Sequence, residues 1–394
     1  MTNQQSELRK SLKLLEFLLN VNGLLPGKKF KFFYSIFSYA FVIFFVIMIP
    51  VLGYVNIYLA EPSKRVDYLD KSFVYLEMFV LVFKHWPFIT NPNLTKILLD
   101  RWNESLFNTQ VDVDKHIIAE TLRRRRIWIV RNVLITAISP IILIQSMIFS
   151  SHDELMLPIW LPVDVSKNPV AFTVTNMYIV IGYMHGFFGY FAVDILVISY
   201  IMYCATEMRL IKYKLKNVEK YIEKEATNNS DKTTSDGLPH KKIYDQIIQC
   251  VKVYDAVWKY AQELESTYSF GIFIQFFVAS MVLSICMYNI SKIKSIIEIL
   301  YTASFLLPTI LVIYYYCDQG SLIIDESTTI GDAIMKSPWY TYDEKTKHLL
   351  ITFMERTKRP IKFTVGKLVD VSLETFVLII NRSYSLLAVL KNFY

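Results

Sequence analysis

The charged run Tyr342-Asp343-Glu344-Lys345-Thr346-Lys347-His348-Leu349-Leu350-Ile351-Thr352-Phe353-Met354-Glu355-Arg356-Thr357, the stop at Arg359-Pro360 and the apolar stretch 369–391 decide how this chain is built. The first piece reads as a helix with apolar positions at Leu349, Ile351 and Phe353. Proline disfavours helix in the residue before it, so that helix ends near Pro360. The stretch beyond is long enough to cross a bilayer, which takes about 20 apolar residues as helix. It is interrupted by Glu374, Asn381, Arg382 and a scatter of hydroxyls. A spanning helix is thus split into a polar half outside the membrane and a mixed half within it. Phe376, Ile380, Ser383, Leu387, Leu390 and Lys391 fall along one side of the inner half at three- and four-residue steps. Such a mixture of hydroxyls and hydrophobes suits a helix that lines a pore.

Six further apolar stretches precede this one, roughly 32–59, 70–90, 127–149, 172–203, 266–289 and 296–317. With 53% hydrophobic residues and a mean hydropathy of +0.33, the chain is too apolar for an ordinary soluble protein and reads as an all-α polytopic membrane protein with seven transmembrane helices. The first stretch begins near Phe32 and no small-residue cleavage site follows it, so it is expected to remain as a span. Orientation follows from lysine and arginine, which are retained on the cytoplasmic side. Arg9, Lys10, Lys13, Lys28, Lys29 and Lys31 precede the first span, and Lys96, Arg101, Lys115 and the run Arg123 to Arg126 lie between the second and third. The segments after spans four and six are equally basic, whereas the alternate loops hold only Lys64, Arg65, Lys71, Lys167, Lys292 and Lys294. The amino terminus is therefore expected in the cytosol and the carboxyl terminus outside, opposite to a G-protein-coupled receptor.

The same pattern divides the chain into a cytosolic segment 1–31 with an amphipathic helix, transmembrane helices one to four over 32–203, and helical extensions over 204–265. Helices five and six follow over 266–317, a cytosolic anchor region over 318–368, and helix seven over 369–394. Within the extensions, 226–239 carries Asn228-Asn229-Ser230-Asp231 and Asp236-Gly237 and reads as a disordered linker. Apolar positions such as Ile247, Val251, Tyr254, Trp258, Leu349 and Phe353 give the cytosolic helices a face that must be buried, and neighbouring subunits are the expected cover.

Enzymatic and cofactor motifs are missing: the six histidines are scattered, there is no zincin pair or phosphate loop, and no metal-ligand spacing links Cys204, Cys250, Cys286 and Cys317. The net charge of +7 is spread between apolar segments, which gives nucleic-acid binding no support. The contiguous arginines 123–126 read as an inner-leaflet anchor, since a voltage sensor needs helical spacing within the membrane. Intramembrane ionisable groups are functional candidates by default, and Glu77 and Asp194 are the clearest. Pairing of each with a hydroxyl, amide or cation on a neighbouring helix is the alternative.

Lys336-Ser337-Pro338-Trp339-Tyr340, Leu349-Leu350-Ile351-Thr352-Phe353-Met354-Glu355-Arg356, Pro360, Gly366, Ser372-Leu373-Glu374-Thr375-Phe376 and Ser383-Tyr384-Ser385 stand in the order and near the spacing of the C-terminal signature of insect odorant receptors, which this chain resembles. The resemblance implies a subunit of an odorant-gated, non-selective cation channel in the plasma membrane of a sensory neuron dendrite. It also implies a small apolar volatile as ligand, a tetramer held by the helices below the membrane, and pairing with a shared coreceptor. The short linker argues that this chain is a ligand-selective subunit and not the coreceptor. Matching Ser383-Tyr384-Ser385-Leu386-Leu387 to the family's pore helix makes Leu387 the candidate constriction, with Ser383, Leu390 and Lys391 on the same path. A ring of lysines would repel cations at the outer mouth, which favours a mixed assembly.

A pocket for an apolar volatile needs apolar and aromatic walls with few polar groups. The outer halves of spans two, three, four and six offer Tyr75, Met78 and Phe79; Ile142, Gln145 and Phe149; Tyr178 and Ile181; and Tyr301 and Phe305. A gustatory receptor channel is the nearest alternative, opposed by the Leu-Glu-Thr-Phe and Ser-Tyr-Ser context. A secondary transporter is opposed by the lack of an internal repeat, and a G-protein-coupled receptor by the loop charges.

Overall fold

Asn168 starts the first of two very long helices. Its side-chain oxygen accepts from the backbone N–H of Val170 (3.0 Å) and Ala171 (3.4 Å), and Pro169 takes the first helical position, where its missing N–H costs nothing. In the computed structural model this helix runs Pro169–Lys216, and another runs His240–Lys292. At about 1.5 Å per residue, their 48 and 53 residues extend roughly 72 and 80 Å, far beyond a hydrocarbon core of about 30 Å. Each span therefore continues as one rod well outside the membrane. The structure describes residues 39–61, 68, 71–91, 112–136, 155–162, 165, 168–228, 240–292 and 296–393, with isolated positions at 17, 19, 20, 22–24 and 36.

The helices are α1 (Met48–Leu59, preceded by a π-helical stretch Val42–Ile47), α2 (Ser72–Thr90), α3 (Asp112–Thr136), α4 (Pro169–Lys216), α5 (Val218–Asn228), α6 (His240–Lys292), α7 (Ile296–Thr328), α8 (Ile330–Met335), α9 (Glu344–Thr357) and α10 (Leu373–Phe393). Among the described residues, five segments are long and apolar enough to cross a membrane: Tyr39–Leu59, Ser72–Thr90, Pro169–Lys216, His240–Lys292 and Thr302–Met335. Much of the third expected span, 137–149, lies outside the described residues, as do most of the amino-terminal helix and residues 229–239 of the linker. Helix α10 occupies the expected seventh span but carries Glu374, Arg382 and Lys391.

Helix α6 is the central post: α2, α4, α7 and α10 all pack on it. One continuous apolar core runs its length, from Tyr268, Phe276 and Leu283 down to Ile247, Tyr254 and Val257. The split in the seventh span contains an element that the helical pattern does not announce. A two-stranded antiparallel hairpin pairs Thr364–Val365 (β1) with Val369–Asp370 (β2), its turn formed by Gly366 at φ 60° and Lys367 at φ 58°. Ser269 on α6 ties this hairpin down: its hydroxyl donates to the Thr364 carbonyl (2.9 Å) and accepts from the Gly366 N–H (2.8 Å). Ser321 on α7 accepts the Leu373 N–H at 2.9 Å, at the first residue of α10.

The packing of α6 against α9 corrects one sequence expectation. Leu350 and Phe353 are buried within the same chain, Phe353 edge-on to Tyr254 at 5.3 Å, and Trp258 lies under Arg356 at 4.5 Å. Helices α6 and α9 thus cover each other's apolar faces, because α6 is long enough to supply the partner. Met335, Tyr340, Ile351 and Leu368 are the large apolar side chains left exposed here. The arginine run is also divided: Arg124 pairs with Glu120 at 2.5 Å, while Arg125 is buried.

Candidate functional site

Helices α2, α4 and α7 enclose a cavity of about 120 Å³. Helical periodicity places its walls: Val74, Met78 and Leu81 on α2, Tyr183, Phe187 and Phe191 on α4, and Phe305, Pro308 and Val312 on α7 recur at three- and four-residue steps. Pro308 has no N–H to donate to the carbonyl four residues back, so the α7 ladder is interrupted where it borders the cavity.

The wall is not wholly apolar. Glu77, Tyr190, Asp194 and Thr309 also line the cavity. The Lys84 ammonium lies 2.7 Å from Asp194 Oδ1, with side-chain exposures of 3% and 2%. The Tyr316 hydroxyl donates to the same oxygen at 2.7 Å, and the ammonium stands 3.1 Å from the centre of the Tyr190 ring. Gln275 approaches this carboxylate, yet Asp194 Oδ2 has no hydrogen-bond partner among the described residues. Glu77 stands beside Tyr190 and 3.3 Å from the Thr309 hydroxyl. That hydroxyl has a single proton and makes a shorter bond, 2.9 Å, to the Phe305 carbonyl.

Of the residues expected in a ligand pocket, Met78 and Phe305 line this cavity. Tyr75 is fully buried behind it, its hydroxyl donating to the Pro158 carbonyl at 2.9 Å. Phe79, one step from Met78 around the helix, faces outward at 47% exposure and meets Phe83 edge-on. Ile181 is likewise exposed, and the Tyr178 hydroxyl donates to the Phe44 carbonyl. Ile142, Gln145 and Phe149 lie outside the described residues, as does the side chain of Tyr301. Leu81, Phe187, Tyr190, Phe191 and Thr309 escaped sequence reasoning. Stepping by three and four residues from Glu77 and Asp194, the two ionisable groups already singled out, reaches most of them.

Helix α10 turns the side named from its sequence towards the rest of the chain. Ser383 is buried, its hydroxyl donating to the Ile379 carbonyl (2.8 Å), and its carbonyl lies 2.9 Å from the Ser284 hydroxyl of α6, whose single proton is shared with the Ser280 carbonyl at 2.7 Å. Leu387 is half-buried at the edge of this seam, and the exposed side carries Val377, Asn381, Ser385 and Val389. The side chains of Leu390 and Lys391 lie outside the described residues. Val312 borders the cavity, and two residues along α7 the Tyr314 ring meets Phe376 of α10 edge-on at 5.6 Å. One helix therefore touches both the cavity and the seventh span.

The family model described as 7tm Odorant receptor matches residues 65–384. The chain belongs to the odorant receptor family. This odorant receptor is 21% identical over 341 residues to odorant receptor Or1 of Anopheles gambiae, a match covering 83% of this chain and 81% of that one. It is 22% identical to odorant receptor 22a of Drosophila melanogaster and 25% identical to odorant receptor 10 of Aedes albopictus. Those two matches cover 40% and 41% of this chain and 40% and 44% of the relatives. Its fold is that of the insect olfactory receptor OR5 from Machilis hrabei. The TM-score is 0.82 both to a structure in complex with eugenol (13% identity, 100% of both chains) and to one described without a ligand (14% identity, 98% and 99%).

Proposed function

We propose that this odorant receptor is a ligand-selective subunit of an odorant-gated, non-selective cation channel, that a small volatile binds in the cavity between α2, α4 and α7, and that α10 lines the pore. The observation that supports this reading most is the position of α7. It contributes Phe305, Pro308, Thr309 and Val312 to the cavity and packs Tyr314 against Phe376 of α10, so a ligand that shifts α7 also shifts the seventh span. The loop charges support a cytosolic amino terminus and an outer carboxyl terminus, which puts the cavity in the outer membrane half. The family supports a tetramer with a shared coreceptor in the plasma membrane of a sensory neuron dendrite. With Leu350 and Phe353 covered internally, Met335, Tyr340, Ile351 and Leu368 are the apolar groups left for subunit contacts.

Odorant-evoked current, recorded from this chain with and without a coreceptor, tests the reading. For an apolar ligand the main contribution is buried area, at about 25 cal/mol per Å². Met78→Ala and Phe305→Ala each remove wall contact worth on the order of 1–2 kcal/mol, so half-maximal concentrations rise about five- to thirtyfold. Maximal current survives at saturating ligand. Unmoved dose-response curves for every active odorant would remove the cavity from the mechanism.

Leu387 at the edge of the free α10 side is the proposed constriction. A hydrophobic ring closes a wet path by dewetting, and a smaller side chain dewets it less. Leu387→Ala is therefore expected to raise ligand-independent conductance severalfold per channel at the surface. Surface channels are counted with a tag after Tyr394 in unpermeabilised cells. Unchanged basal and evoked currents reject Leu387, and a tag reached only after permeabilisation rejects the orientation.

A further inference from the structure

The cavity wall holds two acids, Glu77 and Asp194, and a base, Lys84, pairs with Asp194 from outside the wall. Lys84 and Tyr316 both engage Oδ1 of Asp194, which is 1% exposed and keeps Oδ2 unpartnered among the described residues. Glu77 also lines the cavity, hydrogen-bonded to Tyr190 and near a Thr309 hydroxyl whose better bond goes elsewhere, and the Lys84 charge acts on it as well as on Asp194. When both carboxyl groups are ionised, the one ammonium between them leaves the set one cation short, and Asp194 Oδ2 lacks a donor among the described residues. A neutral hydrocarbon or ester supplies neither. A protonated amine supplies both, and Met78, Leu81, Phe187, Phe305 and Val312 leave an apolar wall for its carbon chain.

We propose that the preferred ligands of this receptor are small amines, with the ammonium held against Glu77 beside Asp194 and the hydrocarbon part packed between α2, α4 and α7. This rests on the reading of the cavity as the odorant site. The binding is a charge-assisted hydrogen bond added to ordinary apolar contact, so an amine should outperform its carbon-matched alcohol and that alcohol its carbon-matched alkane.

The test is a dose-response series on the unmodified full chain, in the assembly that conducts, using n-alkylamines, n-alkanols and n-alkanes of equal carbon number. A hydrogen bond to a charged group corresponds to an advantage of roughly 10- to 100-fold for the amine. Glu77→Gln keeps the shape and removes the charge, and should erase most of that advantage, weakening the amine response far more than the alkane response. Amines no more potent than alkanes on the unmodified chain overturn the proposal without any variant having to fold. An amine preference that Glu77→Gln leaves intact in a surface-expressed receptor also overturns it. If Met78→Ala and Phe305→Ala shift the curves while no amine preference exists, the odorant cavity stands and the amine class fails. If neither truncation moves any curve, the cavity reading itself has failed.

Discussion

Asp194→Asn is expected to abolish most surface expression of this receptor, and Lys84→Met to do nearly the same. The pair is 2.7 Å apart and almost fully buried between α2 and α4. Removing one partner leaves the other charge in an apolar surround, which costs about 3–5 kcal/mol, a large share of the 5–15 kcal/mol by which a folded protein is usually stable. Replacing both with apolar residues of similar volume avoids the stranded charge and is often neutral or stabilising. Lys84→Met combined with Asp194→Leu should therefore recover part of the expression that either single change loses; Glu77 then loses the Lys84 charge, and the Tyr316 hydroxyl, which donates to Asp194 Oδ1, needs another acceptor. Surface biotinylation and detergent melting curves of the four chains give the answer. Single variants that express and melt like the parent would show that the pair does not hold α2 to α4.

Gly320→Ala carries the second large effect. A Cβ at this position of α7 would lie 2.0 Å from the Val371 carbonyl oxygen and 2.9 Å from both the carbonyl carbon and Cγ1 of the same residue. The obstacle is backbone and cannot rotate away. Val371 is held on the other side, its N–H donating to the Phe363 carbonyl at 2.8 Å, and Leu373 two residues on is pinned by Ser321. One methyl group must therefore push the entry to α10 off α7, a strain of about 1–3 kcal/mol or more. Evoked current is expected to fall at least tenfold, with a lower melting temperature. Gly331→Ala is the control, since the nearest atom to its Cβ would be Thr357 Oγ1 at an ordinary 3.9 Å. Equal currents from the two variants would mean that the contact between α7 and the start of α10 is not needed for gating.

Gly320 also marks where sequence reading stops. It sits in the stretch Asp318-Gln319-Gly320-Ser321 and nothing local distinguishes it from Gly331; its importance comes from a backbone 51 positions later in the chain. Ser383 is similar. Three- and four-residue spacing correctly groups it with Phe376, Ile380 and Leu387 on one side of a helix, but spacing alone has no origin of rotation. Only the packing of α10 on α6, through Ser284 and the Ser383 carbonyl, turns that side inward. The same ambiguity separates Met78, which lines the cavity, from Phe79, which faces out.

What the sequence determined by itself was what depends on local composition and order: an all-helical chain with several membrane-crossing segments, the break near Pro360, the family signature towards the carboxyl end, and the oddity of Glu77 and Asp194 in apolar surroundings. Each of these follows from transfer free energy or backbone sterics, which act on a residue and its immediate neighbours. The tertiary structure alone decided which helix faces meet. It paired Asp194 with Lys84 across 110 positions, gathered three helices around a cavity, folded a hairpin into the break and covered Leu350 and Phe353 with α6. These outcomes depend on helix rotation and on contacts between residues far apart in the chain, and a hydrophobic period says only that a face is buried, never against what.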